Sequence, residues 1–245
     1  MKKILYVNGC SHSCGAEISY PKSHRTNEDL SNSWAGQLAS KYNMIHVNHA
    51  IGGQGNDGIF SNTVQSVLNL LDTHHPKEIL VIIGWSSFER TEYVYDNKLY
   101  RFVPGCQELP LFKKWPLPVR NAFENWILSV DYHSNMNKFS LIYFNMINFL
   151  KQYQLDYYFF NAIQQVIKPK YNLLHELHQN KPCEKLFNLI ELDKNYLEPY
   201  QPKMTYYNYM RSRYDGHIDG RNHHFLANAQ SDWANVLDQK IQHLL

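Results

Sequence analysis

At 245 residues, 44% apolar and 19% charged, the chain has the balance of a folded globular protein and the length of one α/β unit, and nothing in it reads as a linker, so a single domain over 1–245 is expected. Its formal net charge of +2, from 24 Lys and Arg against 22 Asp and Glu, leaves no basic field for nucleic acid and no charged arm. No apolar run approaches the roughly 20 residues that cross a bilayer, and four cysteines without a Cys-x-x-Cys pair make no disulfide scaffold and point to a reducing compartment.

In chain order, the first element is an apolar run at 3–8 that ends in Gly9. The lysines before it are those of an export signal, but the run is too short for such a signal's core, so a strand and a cytoplasmic location are expected. A helical pattern at 33–42, a weaker strand at 44–47 and a helix at 56–71 follow, and then the strongest strand, 79–83, closed by Gly84. The stretch 93–137 breaks the rhythm with Pro104, Pro110, Pro116 and Pro118 among Phe112, Trp115, Phe123 and Trp126, and reads as an insertion. A helix at 139–153 and a strand at 157–160 resume the alternation before a second irregular stretch at 168–214. The last element is a helix at 227–244, with Trp233, Val236, Leu237, Ile241 and Leu244 at helical spacing.

Continuous apolar runs suit strands buried on both faces of a parallel sheet, and their alternation with helices predicts a three-layer α/β/α sandwich. Both irregular stretches follow predicted strand ends, where open sheets of this kind build their binding crevice.

Four loops carry polar residues that chemistry can use. Gly9-Cys10-Ser11-His12-Ser13-Cys14-Gly15 places a hydroxyl between glycines at a strand-to-helix turn, where its Oγ projects and nearby N–H groups can hold an oxyanion; the plainer reading is a helix cap. Asn48-His49-Ala50-Ile51-Gly52-Gly53-Gln54-Gly55-Asn56-Asp57 brings backbone close to a ligand, and it lacks the Gly-Lys-Ser/Thr ending of a nucleotide loop. Gly84-Trp85-Ser86-Ser87-Phe88-Glu89-Arg90 sits at the end of the strongest strand and by itself reads as a polar loop. The run 217–224 holds Asp219, His223 and His224 just before the last helix; a His with a carboxylate beside it is the base a serine needs. A zinc site is the rival there, but the spacing matches no common zinc motif.

Taken in order, these four loops resemble the blocks of the SGNH hydrolases, also called the GDSL family, and the likeness covers nearly the whole chain. It implies a flavodoxin-like α/β/α fold with 93–137 and 168–214 as inserts. It also implies a serine esterase that needs neither metal nor cofactor. Ser11 takes the place of the nucleophile, with Cys10 where the family usually has Asp. Gly53 matches the glycine whose N–H joins that of Ser11 in the oxyanion hole, and Ser86 stands where the third block has Asn. His224 matches the general base and Asp219 its orienting acid, five residues earlier instead of the family's three; His223 and Asp215 are the alternatives. The substrate implied is a small-molecule or glycan ester, such as an O-acetylated glycan, with the aromatics around Trp115 and Trp126 covering the site. A lysophospholipase or thioesterase is a second reading, and a catalytically silent domain that binds glycans or serves a larger assembly is a third. Nothing in the sequence names an oligomeric state.

Overall fold

The computed structural model describes residues 2–16, 18, 26–167, 182–214 and 224–245. Its centre is a four-stranded parallel sheet in the order β2-β1-β3-β6, built from β1 (Ile4–Gly9), β2 (Ile45–Asn48), β3 (Ile79–Trp85) and β6 (Asp156–Asn161). The strands β1 and β3 are buried along their whole length, as their unbroken apolar runs require.

Because side chains alternate across a strand, β1, β3 and β6 each feed two cores. Ile4, Tyr6, Ile79, Val81, Ile83, Tyr157 and Phe159 join one cluster. It is closed by Ile59 and Val67 of α3 (Asn56–Leu71), Phe139 and Tyr143 of α5 (Tyr132–Gln152), and Phe187 of α6 (Pro182–Leu192). Leu5, Val7, Leu80, Ile82, Tyr158 and Phe160 join the other. Its cover is Trp34 and Leu38 of α2 (Trp34–Lys41), Tyr206 and Met210 of α7 (Tyr206–Arg211), and Trp233 and Leu237 of α8 (Ala227–Ile241). The short helix α1 (Asn27–Asn32) precedes α2, with Ser33 capping α2 through Gly36 N. The architecture is therefore the three-layer α/β/α sandwich expected.

The stretch expected to be irregular at 93–137 holds regular structure. It is preceded and entered by an antiparallel hairpin, β4 (Thr91–Tyr95) and β5 (Lys98–Phe102), and it contains α4 (Leu117–Ser129). Phe102, Phe112 and Phe123 form a satellite core there, with Trp115 and Trp126 packed onto it. Of 168–214, the described part from 182 onward packs into the main cores, and Tyr196 bridges to Phe159 beside β6. Among the described residues no helix is long and apolar enough to cross a membrane.

Candidate active site

The site is built where β1 and β3 end side by side. Their register pairs Gly9 with Gly84, so Ser11 and Ser86 each lie two residues past a matched pair on neighbouring strands. Gly9 is held at φ +152°, and a Cβ on it would meet Ser13 Oγ at 2.5 Å and Gly84 O at 2.7 Å, so this crossing of backbones admits only glycine. The chain then enters a hydrogen-bonded turn in which Ser13 N and Cys14 N donate to Cys10 O at 3.0 and 3.1 Å. The N–H groups of Ser11 and His12 precede these bonds, as first-turn donors do, and the Ser11 side chain is half-buried.

The loop after β2 is pinned to that turn. Asn48 donates to Ser13 O at 2.8 Å and accepts from Ala50 N at 3.0 Å, and Ile51 N donates to Gly9 O at 3.1 Å. A tight turn follows, closed by Gln54 N on Ile51 O at 3.2 Å, with Gly53 at φ +75° in its third position, where glycine is favoured. The hairpin leans on this turn: a Cβ on Gly53 would meet Val103 Cγ2 at 3.4 Å and Arg101 Cδ at 3.7 Å. Within the expected insertion, then, Arg101 and Val103 approach Gly53, whereas Trp115 and Trp126 pack against Phe102 and Phe123 at centroid distances of 5.3 to 6.2 Å. The rings of Trp115 and Trp126 are thus engaged by the satellite core.

At the end of β3, Ser86 is fully buried. Asn56, at the start of α3, clasps its backbone, accepting from Ser86 N at 2.8 Å and donating to Ser86 O at 3.3 Å. The Ser86 hydroxyl, expected as an oxyanion donor, accepts a hydrogen bond from Arg90 Nη1 at 3.1 Å. Asn56 meets Ser86 only through the fold, whereas Arg90 lies four residues further along the same loop, which in the sequence reads as an ordinary polar run.

His224 is half-buried and its ring lies 5.2 Å from that of His12, the residue after Ser11. His12 is buried against Tyr206 and Tyr207, at 5.1 and 5.9 Å. Gln230 ties the pieces together, donating to the Tyr206 hydroxyl at 2.7 Å and to Phe225 O at 3.1 Å while accepting from Trp34 N at 3.2 Å. Trp34 Nε1 in turn donates to His12 O at 3.2 Å. Burial pushes the Tyr206 phenol well above its ordinary value, so it stays a neutral donor and acceptor. The expected residues Asp215, Asp219 and His223 lie outside the described residues. Ser11, Gly53, Ser86 and His224 are each fixed at this one end of the sheet or against the turn that leaves it.

No family model and no curated protein sequence matches this chain. Solved structures do. A mutant of an acetyl-xylooligosaccharide esterase from Geobacillus stearothermophilus superposes with a TM-score of 0.52 at 10% identity, over 98% of this chain and 94% of that one. TesA matches with a TM-score of 0.50 at 13% identity, over 99% of this chain and all of that one. A member of the lipolytic G-D-S-L family from Veillonella parvula matches with a TM-score of 0.50 at 9% identity, again over 99% and 100%. The chain has the fold of the SGNH, or GDSL, hydrolases, as its four sequence blocks imply.

Proposed function

We propose that the chain is a divergent SGNH serine esterase that hydrolyses a carboxylic ester, with an O-acetylated glycan as the substrate class. The observation that carries this reading is the packing of the His224 ring onto the residue that follows Ser11, which joins the first and last blocks across the sheet end. The acetyl-xylooligosaccharide esterase among the structural neighbours supports the choice of substrate.

In this reading Ser11 Oγ attacks the ester carbonyl carbon as His224 takes the hydroxyl proton, and the carbonyl electrons move onto oxygen. The N–H groups of Ser11 and Gly53 hold that oxyanion, with the Ser86 corner opposite. Collapse breaks the bond to the alcohol, which leaves with the proton from the imidazolium. Water, deprotonated by His224, then attacks the acyl-enzyme and releases the acid with Ser11 restored. Asp219 orients the imidazole, with Asp215 and His223 as the alternative acid and base.

The test is acetate release from 4-nitrophenyl acetate and from an acetylated xylo-oligosaccharide, comparing wild type with Ser11→Ala. Loss of turnover by at least about 10³-fold in the variant is the expected outcome. Equal rates in both proteins, or turnover of long-chain acyl esters alone, contradict the reading. Ser86 in place of the family's Asn favours a second reading, a silent glycan-binding domain, which predicts glycan binding without release.

A further inference from the structure

The third corner of the proposed oxyanion site has lost its Asn, and the hydroxyl that replaces it is already engaged as an acceptor. What engages it is unusual. Arg90 is half-buried, yet among the described residues no carboxylate pairs with it. One of its nitrogens donates to Ser86 Oγ at 3.1 Å, and its buried Nε has no hydrogen-bond partner. A buried guanidinium nitrogen without a hydrogen-bond partner is costly unless something joins it.

Its position is specific. The Arg90 carbonyl lies so close to Gly55 that a Cβ there would meet it at 2.7 Å, so the residue spans the gap between the Gly53 turn and the end of β3. On the same turn Gln54 is fully buried and neither end of its carboxamide has a partner. Two buried groups without partners therefore sit on the loops that follow β2 and β3, the loops to which the esterase reading assigns the oxyanion donors. A buried polar group without a partner calls for an explanation, and a catalytic role or a bound water or ion is among the recognised ones.

We infer that Arg90 supplies the oxyanion donor that the Gly-x-Asn-Asp block lacks, with Ser86 serving as the anchor that aims its guanidinium. This rests on the esterase reading above. A planar, permanently charged fork suits the task, since it offers a second N–H to a developing negative oxygen while the first stays on Ser86.

The experiment compares wild type with Arg90→Gln, Arg90→Lys and Ser86→Ala in two assays: labelling rate by a fluorophosphonate, and kcat and KM on 4-nitrophenyl acetate, a neutral ester. Arg90→Gln is expected to lower kcat on the order of 10²-fold and to slow labelling in parallel, with KM within about threefold of wild type. Arg90→Lys, which keeps charge and stem, is expected to recover part of the loss, and Ser86→Ala to lose less than Arg90→Gln. Should Arg90→Gln melt early, the partial loss in Arg90→Lys at unchanged KM carries the test. Unchanged kcat and labelling in the folded Arg90 variants, a change in KM alone, or a larger loss from Ser86→Ala than from Arg90→Gln would overturn the inference while leaving the esterase reading intact. A wild type that neither labels nor turns over would overturn both.

Discussion

The imidazole of His224 lies 5.2 Å from that of His12, ring centre to ring centre and tilted by 55°. The two residues are 212 positions apart (224 minus 12), and their meeting links the turn after β1 to the segment entering α8. Tyr206 and Tyr207 back His12 from behind, so His224 rests on a packed aromatic wall.

That wall predicts a difference between two substitutions. His12→Phe keeps a flat ring against Tyr206 and is expected to retain most of kcat, whereas His12→Ala opens a gap and is expected to lower kcat about tenfold and the thermal midpoint with it. Steady-state kinetics and thermal melts check this. Equal losses in both variants would show that the imidazole acts by its chemistry and not by its packing.

Asn56 has one task visible in the structure, to pair with both backbone groups of Ser86. Asn56→Ala leaves that N–H and C=O buried and unsatisfied, a cost of about 1 to 3 kcal/mol, while Asn56→Asp keeps the acceptor but turns an oxygen toward Ser86 O. Urea unfolding is expected to find both variants less stable than wild type. A midpoint unchanged in Asn56→Ala would count against the clasp.

Gly84 admits no side chain. A Cβ would sit 2.5 Å from Ser13 Oγ and 2.6 Å from Phe160 Cζ, so Gly84→Ala must push β3 away from the turn that carries Ser11. The expected destabilisation is about 1 to 3 kcal/mol, accompanied by loss of activity. Gly52→Ala is the control, because its Cβ would meet nothing within 4 Å; denaturant melts of the pair should separate them.

Glu92 on β4 gives a pH dependence with a definite sign. Burial first, then the Asp57 charge, raises its carboxyl above the ordinary value, against the pull of Arg101 and Lys138. The folded state thus holds this proton more tightly than the unfolded one. Its contribution to stability is full below the ordinary carboxyl value and is lost as pH rises through the raised folded value. Glu92→Gln removes the penalty of the charged form, so its thermal midpoint is expected to exceed that of wild type at pH 7.5 by a few degrees, with the advantage gone by pH 4. An advantage that persists unchanged at pH 4 would contradict this.

Much of the fold was legible in the sequence for a simple reason. Strands buried on both faces must be apolar throughout, so 3–8 and 79–83 announced β1 and β3, and the helix expected at 56–71 has those limits. Ends governed by side-chain caps were harder to see: α5 begins at residue 132, seven before the apolar pattern at 139, because Asp131 accepts from Ser134 N at 2.6 Å. The hairpin went unread although its turn was written there, in Asp96 and Asn97 at φ 49° and 56°, residues that tolerate the left-handed region. The prolines that follow it drew attention to irregularity instead. In the site, Ser11, Gly53, Ser86 and His224 were named from block order, whereas Asn56, Arg90 and Gln230 were not. Asn56 and Gln230 act on residues from other segments, and one-dimensional spacing carries no trace of such meetings; Arg90 turns back onto Ser86 four residues earlier in its own loop, a contact that a polar run does not announce.

The central claim is that Ser11 is a nucleophile activated by His224. Treatment of the purified protein with a fluorophosphonate, read by intact mass, tests it most directly. One adduct on wild type, placed on Ser11 by peptide mapping and absent from both Ser11→Ala and His224→Ala, is the predicted result. An unlabelled wild type, or an adduct that survives Ser11→Ala, would contradict it.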